Sequence, residues 1–182
     1  AMIAGVFIVA QVLGKVLTDS KDFRVRRILA WVNPEMYVSE GSYQSMQALY
    51  AIGSGGFFGK GLGNSAQKII IPEAQNDMIL SIICEELGVF GMMIVLILFG
   101  ILLYRLAFIA QNAKDSYGSL IVTGIFFFFF LQVIFNVCVV MNIIPTTGIT
   151  LPFISYGGTA ALFLMIEMGI AFNVSRTIKV AV

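Results

Sequence analysis

Apolar residues gather in four long runs, 1–17, 87–110, 118–144 and 153–174, each holding at most one charged residue. A helix needs about 20 apolar residues to cross the hydrocarbon core of a bilayer, and the last three runs meet that length. The first is shorter and reads as the tail of a helix whose start lies upstream. Backbone groups in lipid are satisfied only within helices or closed barrels, and these runs are too long for barrel strands. The pattern predicts an all-α integral membrane protein with about four transmembrane helices. A long polar loop, 18–86, separates the first from the second.

That loop carries patterns of its own. Over 24–32, Val25, Ile28, Leu29 and Val32 fall on one face of a short amphipathic helix that Asn33-Pro34 would end. Over 43–52, Met46, Leu49 and Tyr50 recur at helical spacing and predict a second short helix, lying at the membrane interface. A glycine-rich stretch follows, Gly53-Ser54-Gly55-Gly56-Phe57-Phe58-Gly59-Lys60-Gly61-Leu62-Gly63. Aromatics at Trp31, Tyr37, Tyr43, Tyr50, Phe57 and Phe58 argue for order, and ordered loops of this length are usually functional.

Charge sets the orientation. Arg105 and Lys114 border the turn between the second and third runs, and Arg176 and Lys179 follow the fourth, whereas 144–152 is uncharged. Positive residues favour the cytoplasm, which places loop 18–86 outside. Lys15, Lys21, Arg24, Arg26 and Arg27 oppose that assignment; Asp19 and Asp22 dilute them, and earlier helices usually set orientation. The chain opens on Ala-Met inside an apolar run with no basic leader, unlike a secretory signal. It is expected to be part of a longer protein.

Composition narrows the chemistry. Hydrophobic residues make up 59% of the chain, charged residues 12%, and mean hydropathy is +0.95, whereas a soluble domain is about a quarter charged. A net charge of +1 gives no basic surface for nucleic acid. The absence of histidine excludes an imidazole base, a Ser-His-Asp triad and a histidine metal site. Cys84 and Cys138 sit in or beside apolar runs and read as unreactive buried thiols.

Several polar groups remain as candidates. The glycine stretch is no Walker loop, because Ser54 and Gly61 stand where glycine and Ser/Thr are needed. Its N–H groups, with Lys60 and Lys68, could still cradle an anion; the plainer reading is a flexible outer turn. Asp77 falls at the membrane surface, with Glu85 near the same helical face and Glu86 about 100° round. A helix cap or a solvated charge is the plain reading there, and outer-surface carboxylates could also hold a divalent cation such as Mg. Glu167 lies deep in the fourth run, where a carboxylate usually faces a bundle interior or cavity. Asn136 and Asn142 are expected to tie helices together. Phe153-Ile154-Ser155-Tyr156-Gly157-Gly158 lacks the first glycine of a nucleophile elbow. The glycosylation sequon Asn173-Val174-Ser175 falls on the inner face.

Taken in order, the glycine stretch, Asn64-Ser65-Ala66-Gln67-Lys68, Pro72-Glu73-Ala74 through Asp77, and Glu85-Glu86-Leu87-Gly88 resemble the SEDS family of shape, elongation, division and sporulation proteins, represented by FtsW, RodA and SpoVE. The resemblance continues at Asn136, Ile144-Pro145-Thr146-Thr147-Gly148 and Leu151-Pro152-Phe153-Ile154-Ser155-Tyr156-Gly157-Gly158. It implies the last four of ten spans, with the family's large extracellular loop, in the bacterial cytoplasmic membrane. The implied activity is that of a peptidoglycan glycosyltransferase polymerising lipid II, the undecaprenyl-pyrophosphate-linked disaccharide pentapeptide, at the outer face. The implied partner is a class B penicillin-binding protein, a transpeptidase whose single helix docks on 87–144.

The resemblance makes Asp77 the catalytic residue. Substrate contacts are assigned to Lys60, Gly61, Gly63, Asn64, Gln67, Lys68 and Glu73, with Lys60, Lys68 and the glycine N–H groups meeting pyrophosphate. No metal ligand set is assigned. The chain departs from the family where Gln75-Asn76-Asp77 replaces a common His-Thr-Asp, so a mechanism through that histidine is excluded while one through the aspartate survives. Ala48 replaces a common serine, and Glu167 stands at a position usually apolar. Two alternatives remain: a flippase for lipid-linked precursor, which would need a polar path at mid-membrane, and a non-enzymatic scaffold for a transpeptidase.

Overall fold

The computed structural model describes residues 31, 43–70 and 75–178. The first apolar run, most of the expected helix over 24–32, Glu73 and Lys179 lie outside the described residues. Five helices are placed in chain order: α1 Tyr43–Gly55, α2 Gln67–Ile70, α3 Ile79–Asn112, α4 Ser116–Val140 and α5 Gly158–Arg176. No strand occurs among the described residues. Three of the helices, α3, α4 and α5, are long and apolar enough to cross a membrane. They are apolar on nearly every side, with Leu98, Ile101, Leu120, Phe163 and Met165 all exposed. That is how a helix reads when lipid rather than water surrounds its outer face.

Two apolar clusters hold the bundle. One joins α1, α3 and α4 through Ala48, Leu80, Met92, Val133 and Val139, and takes in Met78 and Leu151 from the connections. The other joins α3, α4 and α5 through Leu106, Val122, Phe129, Leu164 and Ala171. Phe153 stacks on Phe129, with ring centroids 5.6 Å apart, and so seats the turn before α5.

The helix limits differ from the apolar runs in three places. α3 starts at Ile79, ahead of the expected 87, because Ser81 and Glu85 are satisfied inside the protein and need no water. α4 ends at Val140 rather than at 144, where Asn142 turns the chain at φ 54. α5 starts at Gly158, after Phe153 reverses the chain at φ 61. Connection 141–157 is apolar because Leu151 and Pro152 are buried in the bundle, and hydropathy alone does not separate a buried connection from a helix in lipid.

α3 is two helices end to end. Gly88 breaks it at φ 73, ψ −175. The segment after the break, 89–112, measures about 36 Å at 1.5 Å per residue, enough to cross a hydrocarbon core of about 30 Å. The break therefore lies near one membrane surface, and 79–87 continues beyond it.

Candidate functional site

The glycine loop after α1 folds onto the break in α3. Val89 N–H donates to Gly56 O (3.0 Å) and Phe90 N–H to Phe57 O (3.2 Å). In return, Lys60 N–H donates to Glu85 O (3.0 Å) and Gly61 N–H to Glu86 O (2.9 Å). Backbone groups released by a helix break at membrane depth must find protein partners, and this loop supplies them. Contact is so close that a Cβ at Gly55, Gly59 or Gly88 would overlap the backbone of Cys84, Glu86 or Phe57 respectively. Gly59 and Gly88 also hold positive φ, which glycine adopts without the steric penalty of a side chain.

At the centre of this junction the Glu85 side chain is fully buried and accepts from four groups. Lys60 Nζ donates to Oε1 at 2.6 Å and Ser54 Oγ at 3.3 Å; Ser65 Oγ and the Gln67 N–H (3.3 Å) donate to Oε2. Ser65 Oγ also accepts the Lys68 N–H at 3.1 Å. A buried carboxylate is tolerated when paired and fully hydrogen-bonded, and this one staples α1, the glycine loop and α2 to α3. The expected pyrophosphate role of Lys60 meets this pairing: its side chain is 37% exposed, and its ammonium is bound by Glu85 and by Ser54 (2.8 Å).

Beside the junction lies a cavity of about 710 Å³ between α2, the first turns of α3 and the start of α5, within the size range of small-molecule sites. Its polar lining comes from Lys68, Gln75, Glu86, Ser155 and Tyr156, and Ile79, Ile82, Ile83 and Ile154 supply an apolar wall. Among the expected substrate contacts, Lys68 reaches this cavity. Gly61 and Asn64 are tied inside the loop, Asn64 Nδ2 donating to Lys60 O (3.2 Å) and Asn64 N–H to Gly61 O (3.2 Å). Gln67 gives its N–H to Glu85, and Gly63 sits at φ 81 with open space around it.

Asp77 occupies the turn that enters α3 and is half-buried; Gln75 and Ile79, two positions away on either side in sequence, line the cavity, and Asp77 itself is not in its lining. Asn136, fully buried on α4, donates through Nδ2 to Asp77 O (2.9 Å) and to Ile149 O (2.8 Å). Tyr156 N–H donates to Gln75 O (2.9 Å), and Ser155 Oγ accepts from Leu151 N–H (2.7 Å). The expected helix tie at Asn136 thus joins α4 to the Asp77 turn and to the connection before α5. Asn142 participates through its backbone carbonyl, which accepts from Trp31 Nε1 at 2.9 Å.

The sequence sets Glu85 and Glu86 beside Asp77 as candidate outer-surface carboxylates for a cation, and no local spacing in it pairs Glu85 with the glycine loop or joins Ser155 and Tyr156 to the cavity. One signal pointed to the junction: a carboxylate flanking an apolar run is costly unless paired, and Lys60 is a cation within the glycine loop. Among the described residues no three His, Cys, Asp or Glu side chains are placed to hold a metal ion.

A helical membrane protein with a broken span, a glycine clasp and a cavity beside an aspartate turn is the class that this architecture defines. Residues 1–180 match the sequence profile of the cell cycle protein family that groups FtsW, RodA and SpoVE, and the chain belongs to that family. It is 45% identical over 161 residues to stage V sporulation protein E of Bacillus subtilis, covering 88% of this chain and 44% of that one. It is 42% identical over 160 residues to the probable peptidoglycan glycosyltransferase FtsW of Trichlorobacter lovleyi, covering 87% and 42%. The chain thus spans less than half the length of these relatives. Among solved structures, a mutant of the rod shape determining protein RodA of Thermus thermophilus superposes with a TM-score of 0.55 at 27% identity, covering 93% of this chain and 55% of that one. A chain from a peptidoglycan synthase complex superposes with a TM-score of 0.69 at 24% identity, covering 95% and 48%, and shows the shared fold.

Proposed function

We propose that this chain supplies the sugar-transfer site of a peptidoglycan glycosyltransferase that polymerises lipid II at the outer face of the cytoplasmic membrane. The observation that carries this reading is the cavity next to the Asp77 turn, lined by both apolar and polar side chains, at a helix break near the membrane surface. A lipid-linked sugar presents that combination: an acyl chain in the bilayer, a pyrophosphate at the headgroup level and hydroxyls above it. The name carried by the FtsW relatives supports the same activity.

In the proposed reaction a sugar hydroxyl of one substrate attacks the anomeric carbon of another. The new glycosidic C–O bond forms as the bond to pyrophosphate breaks, and the leaving group takes the electron pair. The hydroxyl proton passes to the Asp77 carboxylate, and a positioned base contributes roughly 10²–10⁴-fold. Lys68, which lines the cavity, meets the pyrophosphate charge, while Lys60 holds the loop through Glu85. The test is conversion of labelled lipid II into glycan strands by the full-length protein with a class B penicillin-binding protein, transpeptidation blocked. Absence of strands above background would refute the reading. The outward orientation has its own check: an impermeant thiol reagent on intact cells should label a cysteine at position 67 and spare one at 112.

A further inference from the structure

Glu85 and Glu86 are adjacent carboxylates in opposite situations. Glu85 is fully buried and accepts from Lys60, Ser54, Ser65 and the Gln67 N–H. Glu86 is half-buried and lines the cavity, and its Oε1 is buried with no hydrogen-bond partner. Its backbone is fixed, because Gly61 N–H binds its carbonyl at 2.9 Å and Gly59 packs against it. A buried polar atom without a partner is uncommon in native proteins and calls for an explanation. An ionised carboxylate is an acceptor only, so the group that completes it must be a donor.

We propose that Glu86 is a substrate-contacting residue of the cavity, accepting hydrogen bonds from sugar hydroxyl or amide N–H groups of the lipid-linked substrate. The inference rests on the sugar-transfer reading and adds a direction to it. Among the described residues of the cavity lining, Lys68 is the cation and Glu86 the carboxylate. A pyrophosphate is attracted to Lys68 and repelled by Glu86, whereas sugar hydroxyls are accepted by Glu86. The pair therefore orients the headgroup, with phosphate toward α2 and sugar toward α3.

The experiment compares full-length wild type, Glu86→Ala and Glu86→Gln, each with its transpeptidase partner, for KM, kcat and thermal midpoint. Glu86→Ala is expected to raise KM for lipid II about 10-fold, the scale of one lost hydrogen bond to a charged group. Its kcat and midpoint should change far less, and Glu86→Gln, which keeps an acceptor oxygen, should recover part of the affinity. An unchanged KM in Glu86→Ala would overturn the proposal, as would a loss of activity that follows a fall in thermal midpoint. Direct binding of labelled lipid II separates this inference from the reading beneath it. If the wild type makes no glycan but binds lipid II, weaker binding by Glu86→Ala still supports the contact and equal binding refutes it. If the wild type binds no lipid II, the inference falls together with that reading.

Discussion

The Lys60 ammonium lies 2.6 Å from Oε1 of Glu85, joining the glycine loop to α3 across a carboxylate that no solvent reaches. Removing Lys60 leaves the buried Glu85 carboxylate uncompensated, which costs about 3–5 kcal/mol where both partners are buried and less here, because the Lys60 side chain is 37% exposed. Glu85→Ala should lower the thermal midpoint of the detergent-solubilised protein markedly. Lys60→Met should do the same, since the buried Glu85 is then unpaired. The double variant Lys60→Met, Glu85→Ala should be less destabilised than the sum of the single losses, the signature of direct coupling. Strictly additive losses in that cycle would mean that the pair does not staple the loop.

Glycines at the junction make a second, graded prediction. Gly59 and Gly88 combine positive φ with a backbone neighbour where a Cβ would stand, while Gly63 has positive φ and open space. Gly63→Ala should cost about 1–2 kcal/mol, the strain of a left-handed residue. Gly88→Ala should cost more, because the loop must separate from the helix and the four hydrogen bonds between loop and α3 there are lost. Limited proteolysis of loop 56–63 reports it: faster cleavage in Gly88→Ala than in Gly63→Ala is expected, and equal rates would contradict the interlock.

Much of this architecture was legible in the sequence because lipid imposes a simple rule. The long apolar runs at 87–110 and 118–144 have to be helices, and helices are found there. Connection 141–157 was not legible, since Leu151 and Pro152 are apolar for burial in protein rather than for lipid. Lys68 was read from its charge and lies in the cavity. Lys60 was read in the same way, but only tertiary structure brings it to Glu85, 25 positions away. Ser155 and Tyr156 belong to the cavity through the Tyr156–Gln75 hydrogen bond, a long-range contact that no local spacing encodes.

The outer faces of α3 and α4 give a third prediction. Ile97 and Phe127 are 56% and 53% exposed on helices apolar enough to span the membrane. If the single helix of a class B penicillin-binding protein docks there, Ile97→Trp or Phe127→Glu should reduce its co-purification several-fold while leaving membrane insertion intact. Undiminished recovery of the partner with both variants would remove this surface from the interface.

The last prediction concerns Asp77. It sits in the turn that enters α3, two positions in sequence from each of the cavity-lining residues Gln75 and Ile79, with its carbonyl held by Asn136 from α4. That hydrogen bond uses the backbone, so changing the side chain to Asn leaves it in place. This chain contains no histidine, and among its residues Asp77 is the carboxylate that the proposed reaction uses as base. Asp77→Asn keeps the size of the side chain and removes its ability to take a proton. Polymerisation of labelled lipid II by the full-length variant should fall by about 10²-fold or more, with thermal midpoint and lipid II affinity little changed. Glu73→Gln should lose less. Asn136→Leu should act through position instead: it frees the Asp77 carbonyl and lowers both stability and rate. Near wild-type polymerisation by Asp77→Asn would show that the proton goes elsewhere, and Glu86, a carboxylate of the cavity lining, would be the next residue to test.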